Sequence, residues 1–436
     1  MNVTFGTLHR RSTLSDRAPA VTWHREAGED AAGAGIIYWA EVVDAPAFAG
    51  LEAPWRDLCT RAAVPNVFMD PAFVLAVAEQ SAWPLRVLLA WQGGPGTAAR
   101  QLVGVWAVQI GRSRLTWPRQ ALISPVNHIA YLGTPVLDRT NLRPALRALL
   151  TEMRRHTALP DTVQVGDLSA ELLPEFRAVL REERIHAATV ETRLRARLLP
   201  HPDANAFWAA SMSKNSRQRL ERQRRQLAKA GKLTFAVERQ SAALAGATEE
   251  FLALEAAGWK GRRKSALASN SSTAAMTRRM IEGLAKRGLV AIQSLRLDDR
   301  PAAIQVILYS GNAAFTWRVA FDESDRRASP GVLLLEDTTR DLLTDASVSV
   351  VDSCNHRDVG YQAERWPDRH GLVDLLIDLR PRRRLGITLL AAREGTLRRL
   401  KYAARHGRSG VRKAARRLYN PIRSLAAAAA WLRSER

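Results

Sequence analysis

Cysteine is nearly absent from this chain: Cys59 and Cys354 are the two in 436 residues. Two thiols cannot build a disulfide framework, and no Cys/His cluster has the spacing of a structural zinc site, so no metal is expected. Long apolar runs are missing too. None reaches the roughly 18 residues that a bilayer span requires, although the hydrophobic fraction is an ordinary 46%. The opening MNVTFGTLHRRSTLSDR lacks the uninterrupted apolar core of a secretory signal. The expected location is the cytoplasm, at most peripheral to the inner membrane. Lysine is scarce, and none precedes Lys214. Acidic residues are outnumbered, 43 against 65 Lys and Arg, for a net charge of +22. Most of that excess lies in residues 380–436, which hold 17 Lys and Arg against two Glu. Heavy use of Arg and Ala is also what a GC-rich coding bias produces, so the charge alone does not specify nucleic acid.

The chain is too long for one compact core. Residues 1–35 are small and polar and read as a flexible arm. Order is expected from Ile36, and Pro200-His201-Pro202 marks a boundary between residues 36–200 and 201–379. Both segments alternate strands with helices. Leu85–Trp91 and Gln101–Ile110 read as a hairpin, as do Leu289–Leu297 and Ala302–Tyr309. Each hairpin precedes a further strand, a helix, and a short strand closing on an acid, Asp167 or Asp352. The order predicts a tandem duplication of one α/β unit. The second unit opens with a long helix over Ala204–Ala230, whose Lys214–Lys232 stretch carries one acid, Glu221. Beyond Asp378, Leu397, Leu400, Ala404, Val411 and Leu418 recur at helical spacing among arginines, a basic helical tail. It could cover the body, lie on an anionic membrane surface, or bind RNA.

The stretch Ala314–Asn355 reads strand, polar loop, helix, strand. Phe315, Trp317, Val319 and Phe321 alternate as a half-buried strand requires. Ser329-Pro330-Gly331 opens the helix, with Ser suited to the N-cap and Pro to the first helical position. Free N–H groups of Gly331, Val332 and Leu333, with Arg326 and Arg327 beside them, would suit an anion. An ordinary capped helix is the other reading. The second copy carries this device and the first does not, which predicts one active site, in residues 201–379.

Lys214, Asn215 and Arg217 leading a basic helix, Gly258-Trp259-Lys260-Gly261-Arg262, Trp317 with Phe321-Asp322-Glu323, Ser329-Pro330-Gly331 and Trp366 form an ordered set. The set resembles the GNAT-superfamily acetyltransferases of the CelD/BcsL type, associated with cellulose and other exopolysaccharide biosynthesis. It is more distantly similar to the Fem peptidyltransferases. The likeness spans about residues 36–378 and is strongest from Lys214 to Trp366. It implies tandem GNAT-like (acyl-CoA N-acyltransferase) domains of α/β class, each a mixed sheet flanked by helices. It further implies acyl-CoA, most simply acetyl-CoA, as co-substrate, and a small-molecule or glycan acceptor in cell-envelope chemistry. The usual phosphate loop is Q/R-x-x-G-x-G/A. This chain has Arg327-Ala328-Ser329-Pro330-Gly331-Val332, with one glycine and a proline that has no N–H.

On that likeness, Arg326, Arg327, Ser329, Gly331 and Val332 are the candidate cofactor-binding residues. Asp322 and Asp352, each at a strand end, are the candidate catalytic carboxylates, and turn or cap roles are their alternatives. His356 could serve as a base or be a surface loop histidine. Lys214, Arg217, Trp259, Lys260, Trp317 and Trp366 are candidates to hold the substrate, with Arg222 and Arg225 extending the basic face. Solvated helix and packed core are the plainer readings of the same residues. A Fem-like aminoacyl transfer from charged tRNA and a non-catalytic adaptor that binds nucleic acid or membrane are the competing functions.

Overall fold

The computed structural model describes residues 24–29, 35–97, 99–125, 129–380 and 386–402. The first half runs β1 (His24–Glu29), β2 (Gly35–Val43), α1 (Ala45–Ala49), α2 (Glu52–Arg61), α3 (Pro71–Gln80), β3 (Leu85–Gln92), β4 (Gln101–Gly111), β5 (Ala121–Ile123), β6 (Val136–Leu137), α4 (Leu142–Arg155), β7 (Thr162–Ser169), α5 (Leu173–Glu182) and β8 (His186–Leu198). The second runs α6 (Ala204–Ala210), α7 (Lys214–Ala228), β9 (Leu233–Glu238), α8 (Ser241–Ala257), α9 (Trp259–Arg262), α10 (Ser271–Ala285), β10 (Val290–Leu297), β11 (Arg300–Ser310), β12 (Ala313–Phe321), α11 (Pro330–Thr344), β13 (Val350–Asp352), α12 (Tyr361–Arg365) and β14 (Asp368–Asp378). Residues 386–402 form a further helix, the tail helix.

The two halves share one mixed sheet of 14 strands in the order β1-β2-β3-β4-β5-β7-β14-β8-β13-β12-β11-β10-β9, with β6 beside β4. Each half contains one parallel pair, β5 with β7 and β12 with β13, and every other strand pair is antiparallel. The halves also exchange their last strands. β8, from the first half, lies against β13, and β14, from the second, lies against β7. The long β14–β8 ladder, from Asp368↔Arg197 to Asp378↔His186, closes the exchange. The expected α/β architecture of helix-flanked mixed sheets is therefore present, fused at a shared seam.

Helices cover both faces of the sheet. One core runs through both halves and gathers Phe48, Trp55, Phe73, Leu149, Phe176, Phe251, Met280 and Phe315. Within it α3 meets α10 so closely that a Cβ on Gly283 would stand 2.7 Å from Ala72 Cβ. Arg287–Asp70 and Arg279–Glu79 ion pairs bracket that contact. A second core packs Phe207, Trp208, Leu220 and Leu227 against Leu333, Leu334 and Trp366. A third, smaller one seats Ile387 and Ala391 of the tail helix on Ala188, Val190 and Leu376. A Cβ on Gly395 would lie 2.6 Å from the Val190 carbonyl oxygen, so this helix rests directly on β8 backbone.

Several expectations are revised. The long helix predicted over 204–230 breaks at Ser213, whose side chain caps α7 by accepting from Ser216 N at 3.3 Å. Residues 24–29, inside the stretch read as an arm, pair with β2. Between β4 and β6, β5 is the one strand among the described residues, and a turn containing the cis Trp117–Pro118 bond precedes it. Ala404, Val411 and Leu418 of the predicted tail helix lie outside the described residues.

Buried charge holds the seam. Arg193 of β8 pairs with Asp167 of β7 and, at 3.0 Å, with Asp374 of β14. Replacing Arg193 by Met leaves two buried carboxylates facing each other. Urea denaturation should show the variant less stable by about 3–5 kcal/mol; a loss under 1 kcal/mol would mean the pairing contributes little.

Candidate functional site

The parallel pair in the second half opens. β12 pairs with β13 at Ala313↔Val350, Ala314↔Val351 and Phe315↔Asp352, after which β13 ends and β12 runs on to Phe321. On its other edge, Val306 faces Arg318 and Ile307 faces Thr316, so Trp317 is an extra residue and β12 is bulged there. Lys260 Nζ donates to the Val319 carbonyl at 3.0 Å, beyond the point where the strands part. The same ammonium pairs at 2.8 Å with Glu255, a buried carboxylate that also accepts from Leu267 N. Burial lowers the Lys260 pKa, and Glu255 opposes that shift. Lys260 thus fixes the free part of β12 instead of projecting outward.

Beyond β12 the chain forms a 3-10 turn over Glu323–Ala328. Asp322 caps it, accepting from Ser324 N at 2.8 Å and Ser324 Oγ at 2.7 Å, and pairs with Arg300 at 2.9 Å. Partial burial pushes its pKa up, but these donors outweigh that and leave it lowered. Glu323 ties the turn to α9, accepting from Trp259 N at 2.6 Å and pairing with Arg262 at 2.6 Å. The Trp259 ring is 43% exposed, with the Arg263 guanidinium 5.3 Å from its centroid. α8 ends at Ala257, Gly258 follows it, and Trp259 starts the short α9.

Ser329 then adopts a left-handed conformation (φ 53°) and α11 begins. Its side chain does not cap the helix as predicted. Instead Ser329 Oγ accepts from Gln223 Nε2 of α7 at 3.0 Å. The first-turn donors are also fewer than expected. Val332 and Leu333 N–H both go to the Ser329 carbonyl, at 2.9 and 3.2 Å, and Pro330 has none, so Gly331 supplies the remaining N–H. Arg326 and Arg327 are exposed and form no ion pair among the described residues. Guanidinium groups, more than a nest of backbone amides, are what this loop offers an anion.

The basic helix α7 is moored through its middle: Arg224 pairs with Glu336 and Asp337 of α11 at 3.0 and 2.9 Å. Lys214 and Arg217 lie toward its start, roughly 14 and 9 Å along the axis from Gln223. Arg222 and Arg225 are exposed without ion-pair partners among the described residues.

Three predicted site residues are buried away from any open surface. Trp317 is 2% exposed and its Nε1 donates to the Ile129 carbonyl at 2.6 Å. Trp366 is 1% exposed and its Nε1 donates to Thr339 Oγ1 at 3.2 Å under α11. Both are core residues. Asp352 pairs with Arg195 at 2.6 Å and with His370 Nδ1 at 2.7 Å, and accepts from Cys354 N. Burial pushes its pKa up, but Arg195 and His370 more than offset this and hold its carboxyl well below the usual carboxylate range. A carboxylate so stabilised is a poor proton acceptor, so its catalytic assignment is replaced by a structural one. Four residues on, His356 is exposed at the edge of a cavity of about 490 Å³ between the halves. Desolvation and then Arg193 lower its pKa, so the ring is neutral at pH 7.

Residues 214–366 match the family model described as an acetyltransferase (GNAT) domain. These residues form an acyltransferase domain. They run from the start of α7 to Trp366 and so contain the opened pair, the Ser329 loop and α11. GNAT domains generally use acetyl-CoA. Among solved structures the chain is similar in fold to FemX, with a TM-score of 0.53 at 8% identity over 78% of this chain and 97% of that one. A GCN5-related N-acetyltransferase from Kribbella flavida aligns over 77% of this chain and 95% of its own, at 12% identity and a TM-score of 0.30, too low to carry weight. No curated protein matches the chain. Among the described residues no group of three or more His, Cys, Asp or Glu could hold a metal ion, and no helix is long and apolar enough to cross a membrane.

Sequence reading missed Gln223, Glu255, Arg193 and Arg195. Gln223 and Glu255 lie in helices whose local pattern says nothing of their distant partners. Arg193, Arg195 and Arg197 did leave a signal: arginines at every second position of β8 share one face, and three charges on one face of a strand call for three partners.

The Asp352 pairing has a pH signature. Its folded pKa is depressed, so its contribution is present above the unfolded value of about 3.9 and fades as pH falls toward the folded one. The stability gap between the wild type and Asp352→Asn should be widest near neutrality and narrow below about pH 4. A gap independent of pH would show that the ionised carboxylate is not what matters.

Proposed function

We infer that the protein moves an acyl group from acyl-CoA, most simply acetyl-CoA, to an amine or hydroxyl of a small or glycan acceptor. The observation that carries this reading is the opened β12–β13 pair, ending in an arginine-bearing loop and a helix start, inside a stretch matching an acetyltransferase domain. Arg326, Arg327 and the Gly331 N–H fit the pyrophosphate of the donor. The free edge of β12, fixed by Lys260 at Val319, is the surface along which the thioester would lie.

Transfer forms a C–N or C–O bond and breaks the C–S bond of the donor. The attacking group loses a proton and the departing thiolate gains one. Asp352 is committed to Arg195 and His370, and Asp322 to its cap and Arg300. His356, exposed and neutral at pH 7, suits the role of proton acceptor better than either. The predicted association with exopolysaccharide or other cell-envelope precursors remains the acceptor class we favour, with a cytoplasmic location, peripheral at most. Aminoacyl transfer from charged tRNA is a second reading, favoured by the exposed, unpaired cations of α7 beside the same loop.

Acetyl-CoA should raise the melting temperature of the full chain, since a ligand confined to the native state stabilises it. The Arg326→Ala/Arg327→Ala pair should weaken its binding by about tenfold or more. Absence of any shift with CoA thioesters, set against a shift with aminoacyl-tRNA, would transfer the assignment to the second reading. His356→Gln should lower kcat by about 10²–10⁴-fold. It should also abolish the acid limb of the pH–rate profile, which in the wild type falls below the ordinary imidazole value. An unchanged profile would exclude His356 as the base.

A further inference from the structure

The cavity between the halves has a charge balance that points to an occupant. Its walls come from both halves and from the tail helix: from β7, β8 and β14, from the loop after β13, and from the last turn of the tail helix. Three arginines answer the three carboxylates. Arg193 takes Asp167 and Asp374. Arg398 takes Asp374 at 2.5 Å and Glu191 at 3.2 Å, and Arg357 takes Glu191 at 2.8 Å. Arg357 also lies over the Tyr402 ring, 4.7 Å from its centroid. That leaves Lys401, exposed and without a carboxylate partner among the described residues, as the surplus charge. Arg193 adds a buried Nε–H that has no hydrogen-bond partner among the described residues. Gln164 and Ser124 complete the polar lining, and His356 is neutral at pH 7.

A surplus ammonium, an orphaned guanidinium N–H, already neutralised carboxylates and a volume of about 490 Å³ suit a monosaccharide-sized molecule carrying one anionic group. We propose that this cavity is the acceptor site, that it takes a sugar bearing a phosphate or a carboxylate, and that the tail helix completes it by presenting Lys401. The proposal rests on the acyltransferase reading for the word acceptor, but the binding site itself does not. It also assigns part of the basic tail a place in the body. The tail helix is seated by Ile387, Ala391 and the Gly395 contact with Val190, and Arg398 locks it to Asp374 and Glu191.

Calorimetric titration of the full chain separates the possibilities. Glucose 1-phosphate, glucuronate and glucose are the probes, and each is titrated with and without saturating acetyl-CoA. The expected result is binding of one or both anionic sugars, at least tenfold tighter than glucose, and not displaced by acetyl-CoA. Preference between the two distinguishes phosphate from carboxylate. Lys401→Gln should weaken that binding by about tenfold and leave acetyl-CoA binding unchanged. Gly395→Val, which displaces the helix without altering a charged wall residue, should weaken the anionic sugar in the same way. Displacement by acetyl-CoA would assign the anion to the donor site and overturn the proposal. So would binding that ignores both substitutions, or no binding of either anionic sugar. Acetyl-CoA binding without sugar binding would leave the donor reading standing while removing this one; sugar binding without acetyl-CoA binding would do the reverse.

Discussion

The fold depends on arginines buried in one strand. β8 belongs to the first half by sequence and lies between two strands of the second, and its Arg193 and Arg195 carry their charges into that seam. Arg193 binds carboxylates of β7 and β14; Arg195 binds Asp352 of β13, which also holds His370 of β14. Four adjacent strands from two halves are thereby joined by ionic contacts that no single half could satisfy. Removing such charges from water costs several kcal/mol per ion, recovered only when geometry and hydrogen bonds are nearly complete. Pairs of this kind add little net stability over apolar packing, but they punish misalignment. A one-residue slip of β8 would turn every arginine to the opposite face and leave the carboxylates bare. The ladder is best understood as fixing the register of the exchange.

That fixed register explains why the parallel pair can open. Asp352 is the last residue of β13, anchored by Arg195 from one side and His370 from another. It therefore stops β13 firmly while β12 continues for six more residues, Thr316 to Phe321. The bulge at Trp317 and the Lys260 contact at Val319 hold the free portion of β12 away from a partner that is no longer there. Strand edges are normally covered or paired, and an edge kept bare inside a structure is an arrangement suited to a ligand. The candidate catalytic carboxylate thus has a role in shaping the site without entering the chemistry.

Local pattern made the hairpins legible, with β3 and β4 matching the alternation of Leu85–Trp91 and Gln101–Ile110. The repeated order of elements was legible as well. It could not reveal the strand exchange, because β8 and β14 have the same local sequence character wherever they pair. For the site, Arg326, Arg327 and the Ser329 turn fell where the chain order placed them, since loop, helix start and flanking strand are contiguous. Trp317 and Trp366, candidates for the substrate with packed core as the alternative, turned out to be core for the opposite reason. An aromatic ring is equally at home in a core or on a ligand, and whether Trp317 reaches solvent is decided by Ile129, 188 residues away in sequence. Ser329 shows the same limit on a smaller scale: its N-cap position was visible, but Gln223, which takes its hydroxyl, was not.

The halves end up unequal because their parallel pairs are finished differently. In the second half β12 outruns β13, and a positive loop and α11 follow. In the first half the short β5 stops at Ile123 beside β7, and the space beyond is walled by the exchanged strands and the tail helix. The two halves thus carry two openings of different make. Here the first has been closed over with charge from three parts of the chain, while the second keeps an exposed edge and unpaired arginines. The exchange sets the two openings side by side across β8 and β13, with His356 on the connection leaving β13. On the functions proposed above, that adjacency serves a two-substrate reaction, with one opening for the group that is given and the other for the molecule that receives it.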